Sequence, residues 1–157
     1  MVAHGVQLVA CADGMVCGVT TPRHVVLVED EPADQALIRS AFQRIGSEAV
    51  LDVVPNVSVA IDRLERSPVP VIVIVDLNLP GETGLELVEW MRSNSATSAI
   101  PVVVLSGSNE RTDIRAAYDA GANAYLVKPQ TLEEVEDVAR RIDAFWLGAC
   151  ALADDPR

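Results

Sequence analysis

The sequence predicts an α/β domain in which one parallel sheet carries helices on both faces. Three observations lead there. Short β-branched runs alternate with segments of helical period along most of the chain. The runs are continuously apolar, as in strands buried on both sides, and do not alternate apolar with polar. Half of the 157 residues are hydrophobic while aromatics make up only 4%, which gives the aliphatic core that such strands require. The length suits one domain with a sizeable core.

The elements follow in order. His24–Val28 reads as the first strand and stops at Glu29-Asp30-Glu31-Pro32. A first helix is expected over 33–45, with Leu37, Ala41 and Ile45 inward and Gly46 as its stop. The second strand covers 49–54, and the second helix 57–66 turns Val57, Ala60, Ile61 and Leu64 inward. Val71–Val75 is the strongest strand signal and ends at Asp76. The loop Leu77-Asn78-Leu79-Pro80-Gly81 leads to a third helix over 84–94. The fourth strand, 102–105, ends at Ser106-Gly107-Ser108, and the fourth helix spans 111–120 before Gly121. The fifth strand, 124–127, ends at Lys128-Pro129. The fifth helix is expected from Leu132 to Trp146, with Leu132, Val135, Ala139, Ile142 and Trp146 forming its buried stripe. Right-handed crossovers then favour a flavodoxin-like (βα)5 doubly wound sheet, strand order 2-1-3-4-5. Sites in such sheets form beyond the carboxyl ends of the strands.

The domain is thus expected over 24–147, with a flexible N-terminal extension at 1–23 and a C-terminal tail at 148–157, too short for an output domain. Leu8-Val9-Ala10-Cys11 looks like a lipoprotein cleavage box, but no Lys or Arg precedes Arg23 and the apolar run is short, so export is not expected. Met15 is a candidate alternative start. Cys11, Cys17 and Cys150 are too scattered for a disulfide framework or a zinc site, which points to a cytoplasmic protein. No apolar run is long enough to span a bilayer. The net charge of -11 argues against nucleic acid and for a protein partner or a divalent cation. His4 and His24 are assigned no role.

The predicted fold gathers Glu29, Asp30, Asp76, Ser106 and Lys128 at one sheet edge, each directly after an apolar run. Carboxylates drawn together favour capture of a cation. Mg²⁺ suits this set, since it takes oxygen ligands and uses few carboxylates together with phosphate oxygens. The loop after Asp76 could add the Asn78 backbone carbonyl. Asp76 can act as a nucleophile toward phosphorus, with Lys128 as a point charge and the Ser106 hydroxyl as a donor to the phosphoryl oxygens. Lys128 before Pro129 indicates a turn, and a cis peptide bond there is one way to aim the lysine inward.

Val28-Glu29-Asp30-Glu31-Pro32, Asp76-Leu77-Asn78-Leu79-Pro80-Gly81 and Lys128-Pro129 resemble the motifs of response-regulator receivers across about residues 24–147. The resemblance implies that Glu29 and Asp30 are the acidic pair for Mg²⁺, with Asp30 the direct ligand. It implies that Asp76 is the phosphoacceptor and that Asn78 gives its carbonyl to the metal. Ser106 then takes the place of the switch hydroxyl, Lys128 that of the lysine partner, and Tyr125 that of the aromatic that turns inward on activation. Ser106 stands where Thr is more frequent, and Gly107 after it could loosen that loop. The end of the fifth helix, Phe145-Trp146-Leu147, together with Glu29–Asp34 and Asp76–Pro80, is similar to stand-alone regulators paired with bacterial phytochrome kinases. That similarity implies a homodimer. From the residues alone, Phe145 and Trp146 either cap the core or form an exposed interface patch.

The expected function is therefore phosphoryl acceptance from a sensor histidine kinase. It would switch the surface around the fourth helix, fifth strand and fifth helix, with no catalysis beyond self-catalysed phosphotransfer and autodephosphorylation. The alternative is a phosphorylation-independent interaction module. An aspartate-nucleophile phosphatase would carry its motif after the first strand, and a nucleotide binder would carry a Gly-rich loop there; neither is present.

Overall fold

The continuous apolar runs form the strands that the sequence predicts, and the site hangs on their ends. The computed structural model describes residues 22–149. Expectations for Met15, for Cys11, Cys17 and Cys150, and for most of the terminal extension and tail lie outside the described residues. The chain builds β1 (His24–Val28), α1 (Pro32–Arg44), β2 (Val50–Val54), α2 (Val57–Leu64), β3 (Ile72–Val75) and α3 (Gly84–Ser93). It continues through β4 (Val102–Ser106), α4 (Arg111–Asp119), β5 (Ala124–Val127) and α5 (Leu132–Ile142). All neighbouring strands pair in parallel, in the order β2-β1-β3-β4-β5.

The alternation of strand side chains divides the core in two. Val26, Val28, Val73, Val75, Val102 and Val104 pack beneath α2, α3 and α4. Val25, Leu27, Ile72, Ile74, Val103 and Leu105 pack beneath α1 and α5. Strands covered on both faces need apolar residues at every position, which is why these runs were readable. No helix among the described residues is long and apolar enough to cross a membrane.

Three expectations need correction. The buried face of α1 is Ile38, Ala41 and Phe42, while Leu37 and Ile45 flank it and are only partly buried. Leu132 is exposed at the start of α5, outside the stripe expected of it. The fifth helix does not stay α-helical to Trp146: it gives way at Asp143 to a π-helix, Asp143–Ala149, two residues past the expected boundary at 147. Two tertiary bonds hold that segment. The Ser47 hydroxyl donates to Asp143, and Arg23 Nη1 donates to the Leu147 carbonyl at 2.5 Å. Phe145 and Trp146 divide between their two readings. Trp146 packs against the α1/α5 side of the core, whereas Phe145 is 56% exposed and meets Trp146 edge-on at 4.9 Å.

Asp52 interrupts the apolar pattern of the edge strand β2 and is met by Arg63 Nη2 at 2.7 Å and His24 Nδ1 at 3.0 Å. Burial alone would raise the Asp52 carboxyl, but the bonds from His24 and Arg63 outweigh it and hold the group below the usual carboxylate range. His24, assigned nothing from sequence, thus helps to staple β1 to β2.

Candidate functional site

Strand register sets the site. β1 and β3 end level, with Val28 opposite Val75. The ladder then extends one step: Asp76 N–H donates to the Val28 carbonyl at 3.0 Å, and Glu29 N–H to the Val54 carbonyl at 3.0 Å. Beyond β5, Lys128 N–H donates to the Ser106 carbonyl at 2.7 Å. This backbone bond carries the sheet edge to Lys128, so no cis bond is needed to aim it. Lys128–Pro129 is trans, and among the described residues the cis bond is Ser67–Pro68. Just after Lys128–Pro129, Thr131 and Glu134 form a capping box that fixes the start of α5, with Thr131 N–H donating to Glu134 Oε2 at 3.2 Å and Glu134 N–H to Thr131 Oγ1 at 3.3 Å.

The Lys128 ammonium is the centre of the constellation. Its Nζ lies 2.7 Å from Glu29 Oε2, 2.7 Å from Asp76 Oδ2 and 2.7 Å from Asp34 Oδ2. The ammonium donates hydrogen bonds to Asp34 and Asp76 and is ion-paired with Glu29. Burial alone would lower the Lys128 pKa, but the bonds to Asp34, Asp76 and Glu29 outweigh it and raise it above the ordinary lysine value. Glu29 is 1% exposed, and that burial pushes its carboxyl up despite bonds from Lys128 and from Glu31 N–H. Asp76 is 6% exposed, and its Oδ1 accepts from Asn78 N–H at 3.1 Å. Both Asp76 oxygens are thereby oriented.

Asp30 is exposed at the mouth of the site. Carboxylate oxygens of Glu29, Asp30 and Asp76 lie within 4.8 Å of one another. Hard oxygen donors at such spacing fit a divalent cation of the Mg²⁺ or Mn²⁺ kind. Ser106 closes β4 and is fully buried, with its Oγ accepting from Ser108 N–H at 3.3 Å. Tyr125 on β5 is half-buried and donates its hydroxyl to the Ser108 carbonyl at 2.8 Å. The loop after β4 is therefore tied both to the Ser106 hydroxyl and to Tyr125.

Two site residues were not singled out from sequence. Asp34 sits in the first turn of α1, the helix that begins directly after the strand-end motif Glu29-Asp30-Glu31, and this closeness to the site was the signal available in the sequence. Gly84 opens α3, and a Cβ built there would meet the Asp76 carbonyl oxygen at 2.2 Å. The only sequence signal was a glycine at a helix start, a position that most residues can occupy.

A parallel sheet in this order, with an aspartate at the end of β3 between an acidic pair and an inward lysine, is the arrangement expected of a response-regulator receiver. Residues 25–140 match the response regulator receiver domain family, and the chain belongs to that family. It is 35% identical to the probable methanogenesis regulatory protein FilR2 of Methanothrix harundinacea, over 81% of this chain and 85% of that protein. It is 31% identical to response regulator Rcp1 of Synechocystis, over 83% of this chain and 93% of that one. The crystal structure of the phosphorylated cyanobacterial phytochrome response regulator RcpA superposes with a TM-score of 0.79 at 30% identity, covering 85% of this chain and 99% of that one. The chain is a receiver domain of the two-component response-regulator class. The expected likeness to phytochrome-associated regulators and the expected strand order both hold.

Proposed function

We propose that Asp76 accepts a phosphoryl group from a phosphohistidine on a sensor histidine kinase. One Asp76 carboxylate oxygen forms the new P–O bond as the P–N bond to imidazole breaks, and the imidazole leaves with the electron pair. The observation that carries this reading is the placement of Lys128 Nζ 2.7 Å from Asp76 Oδ2, beside an acidic cluster with the spacing of a metal site. Asp30 and Asp76, with Glu29 behind them and the Asn78 carbonyl in the following loop, would hold Mg²⁺. That ion, when bound, neutralises charge on the transferring phosphoryl oxygens. Lys128 and the Ser106 hydroxyl bind the phosphoryl oxygens. Movement of Ser106 pulls the loop that Tyr125 holds through Ser108, and this re-packs the face formed by α4, β5 and α5. No chemistry beyond self-catalysed phosphotransfer and autodephosphorylation is assigned.

The partner kinase we assign is of the phytochrome type, supported by the likeness to RcpA, whose own description names a phytochrome. The decisive experiment is incubation with acetyl phosphate, with and without Mg²⁺, read by intact mass on wild type and Asp76→Asn. One added phosphoryl group, dependent on Mg²⁺ and absent from the Asn variant, is expected. A folded wild type that gains nothing would leave the phosphorylation-independent interaction module as the reading.

We also assign self-association to the π-helical segment that follows α5, on the exposure of Phe145 beside Trp146. Phe145→Ala is expected to shift sedimentation toward monomer while changing fold stability by no more than about 0.5 kcal/mol, as for other exposed positions. A dimer that survives the substitution would place the interface elsewhere.

A further inference from the structure

Three carboxylates share the Lys128 ammonium, and they differ in what it costs to let go. Side-chain exposure is 2% for Glu29, 7% for Asp76 and 37% for Asp34. Glu29 left without its cation would be a charge stranded out of water. Asp76 is the group that is modified. Asp34 alone can turn into solvent and recover its hydration. It sits at the rim of a cleft between α1 and α5 whose walls are Leu37, Ile38, Phe42, Val135, Ala139 and Ile142. Among the residues lining that cleft Lys128 is the one cation, so no second positive group there waits to hold Asp34.

We infer that Asp34 is a positioning residue that restrains Lys128 at rest, and that a phosphoryl oxygen on Asp76 takes the ammonium donor that Asp34 gives up. This rests on the phosphoacceptor reading of Asp76 and adds a regulatory element to it. Three carboxylate oxygens already surround the ammonium at 2.7 Å each, so a phosphoryl oxygen must displace one partner. The exposed partner leaves at least cost. Asp34 also adds a negative charge beside a site that must receive a dianionic group, which opposes phosphorylation a second time. The contact ties the first turn of α1 to the end of β5, and phosphorylation would cut that tie.

The test compares wild type, Asp34→Asn and Asp34→Glu with acetyl phosphate and Mg²⁺, each variant first shown to be folded by thermal melting. Asp34→Asn is expected to accelerate phosphoryl incorporation on the order of threefold, the scale of a partly exposed ion pair. Asp34→Glu, which keeps the charge, is expected to return the rate toward wild type. The acceleration should also shrink with added salt, because screening weakens the pair in the wild type. A merely structural role would predict neither the Glu rescue nor the salt dependence. An Asn variant that incorporates phosphate at the wild-type rate or more slowly, while wild type reacts normally, overturns the role of Asp34 and leaves Asp76 in place. A wild type that takes up no phosphoryl group removes the phosphoacceptor reading itself.

Discussion

Lys128→Ala is expected to slow phosphoryl incorporation from acetyl phosphate on the order of 100-fold and to unfold more easily at neutral pH. The first effect follows from removing a preorganised cation aimed at the phosphoryl oxygens. The second follows from the carboxylates it leaves behind. Glu29 and Asp76 are buried, and their shared cation lies 2.7 Å from each. Breaking a buried pair from one side costs about 3 kcal/mol. The penalty carries a pH signature. With the ammonium gone, burial and the neighbouring charge of Asp76 push the Glu29 carboxyl further up from an already raised position. A carboxyl whose pKa is higher folded than unfolded binds protons more tightly in the folded state. Its stabilising contribution is therefore present at low pH and lost as pH rises through the folded pKa. The melting difference between wild type and variant should narrow as pH falls from neutral toward the carboxylate range. Thermal melts across that range check this, and a difference independent of pH would mean that the lysine acts through packing alone.

How much of this was readable from sequence depended on what each residue had to do alone. β1 and β5 were delimited as observed because both runs are apolar throughout and stop where the polar site begins, although β1 is buried from Val25 to Val28 while β5, at the sheet edge, is half-buried and ends on exposed Val127. Glu29, Asp76, Ser106 and Lys128 were readable for the same reason, as the first polar groups after, or at the end of, such runs. The face of α1 was harder. Leu37, Ile38, Ala41, Phe42 and Ile45 support two stripes of helical spacing, and only contact with the sheet selects Ile38, Ala41 and Phe42. The π-helical end of α5 was not readable, because bonds from Ser47 and Arg23, remote in sequence, hold it. Asp34 escaped notice because it lies one helical turn past the strand ends, and its importance appears only when Lys128 is seen to contact it.

Gly84→Ala is expected to damage both the fold and the site, although the residue carries no chemistry. A Cβ at this position would stand 2.2 Å from the Asp76 carbonyl oxygen, 3.0 Å from the Asp76 carbonyl carbon and 3.0 Å from Val75 Cγ2. Two of these three atoms are backbone, so no rotamer change relieves the contact. Either α3 backs away from the end of β3 or the peptide after Asp76 rotates. The first option opens the packing of Leu87, Val88 and Met91, all fully buried beneath the sheet, and overpacking of this kind costs at least about 2 kcal/mol. The second turns the carboxylate that Asn78 N–H and Lys128 hold, and a displacement near 1 Å from productive geometry can cost roughly 100-fold in rate. Gly107→Ala is the matched control, since a Cβ there meets nothing within 4 Å and stability should change by less than about 0.5 kcal/mol. Urea unfolding and acetyl phosphate labelling of both variants separate the two routes. Lost stability with normal labelling per folded molecule would show that α3 yields, and lost labelling with near-normal stability would show that the Asp76 peptide does. A Gly84→Ala protein as stable and as reactive as Gly107→Ala would mean that the close approach of α3 to Asp76 does not hold the phosphoacceptor in place.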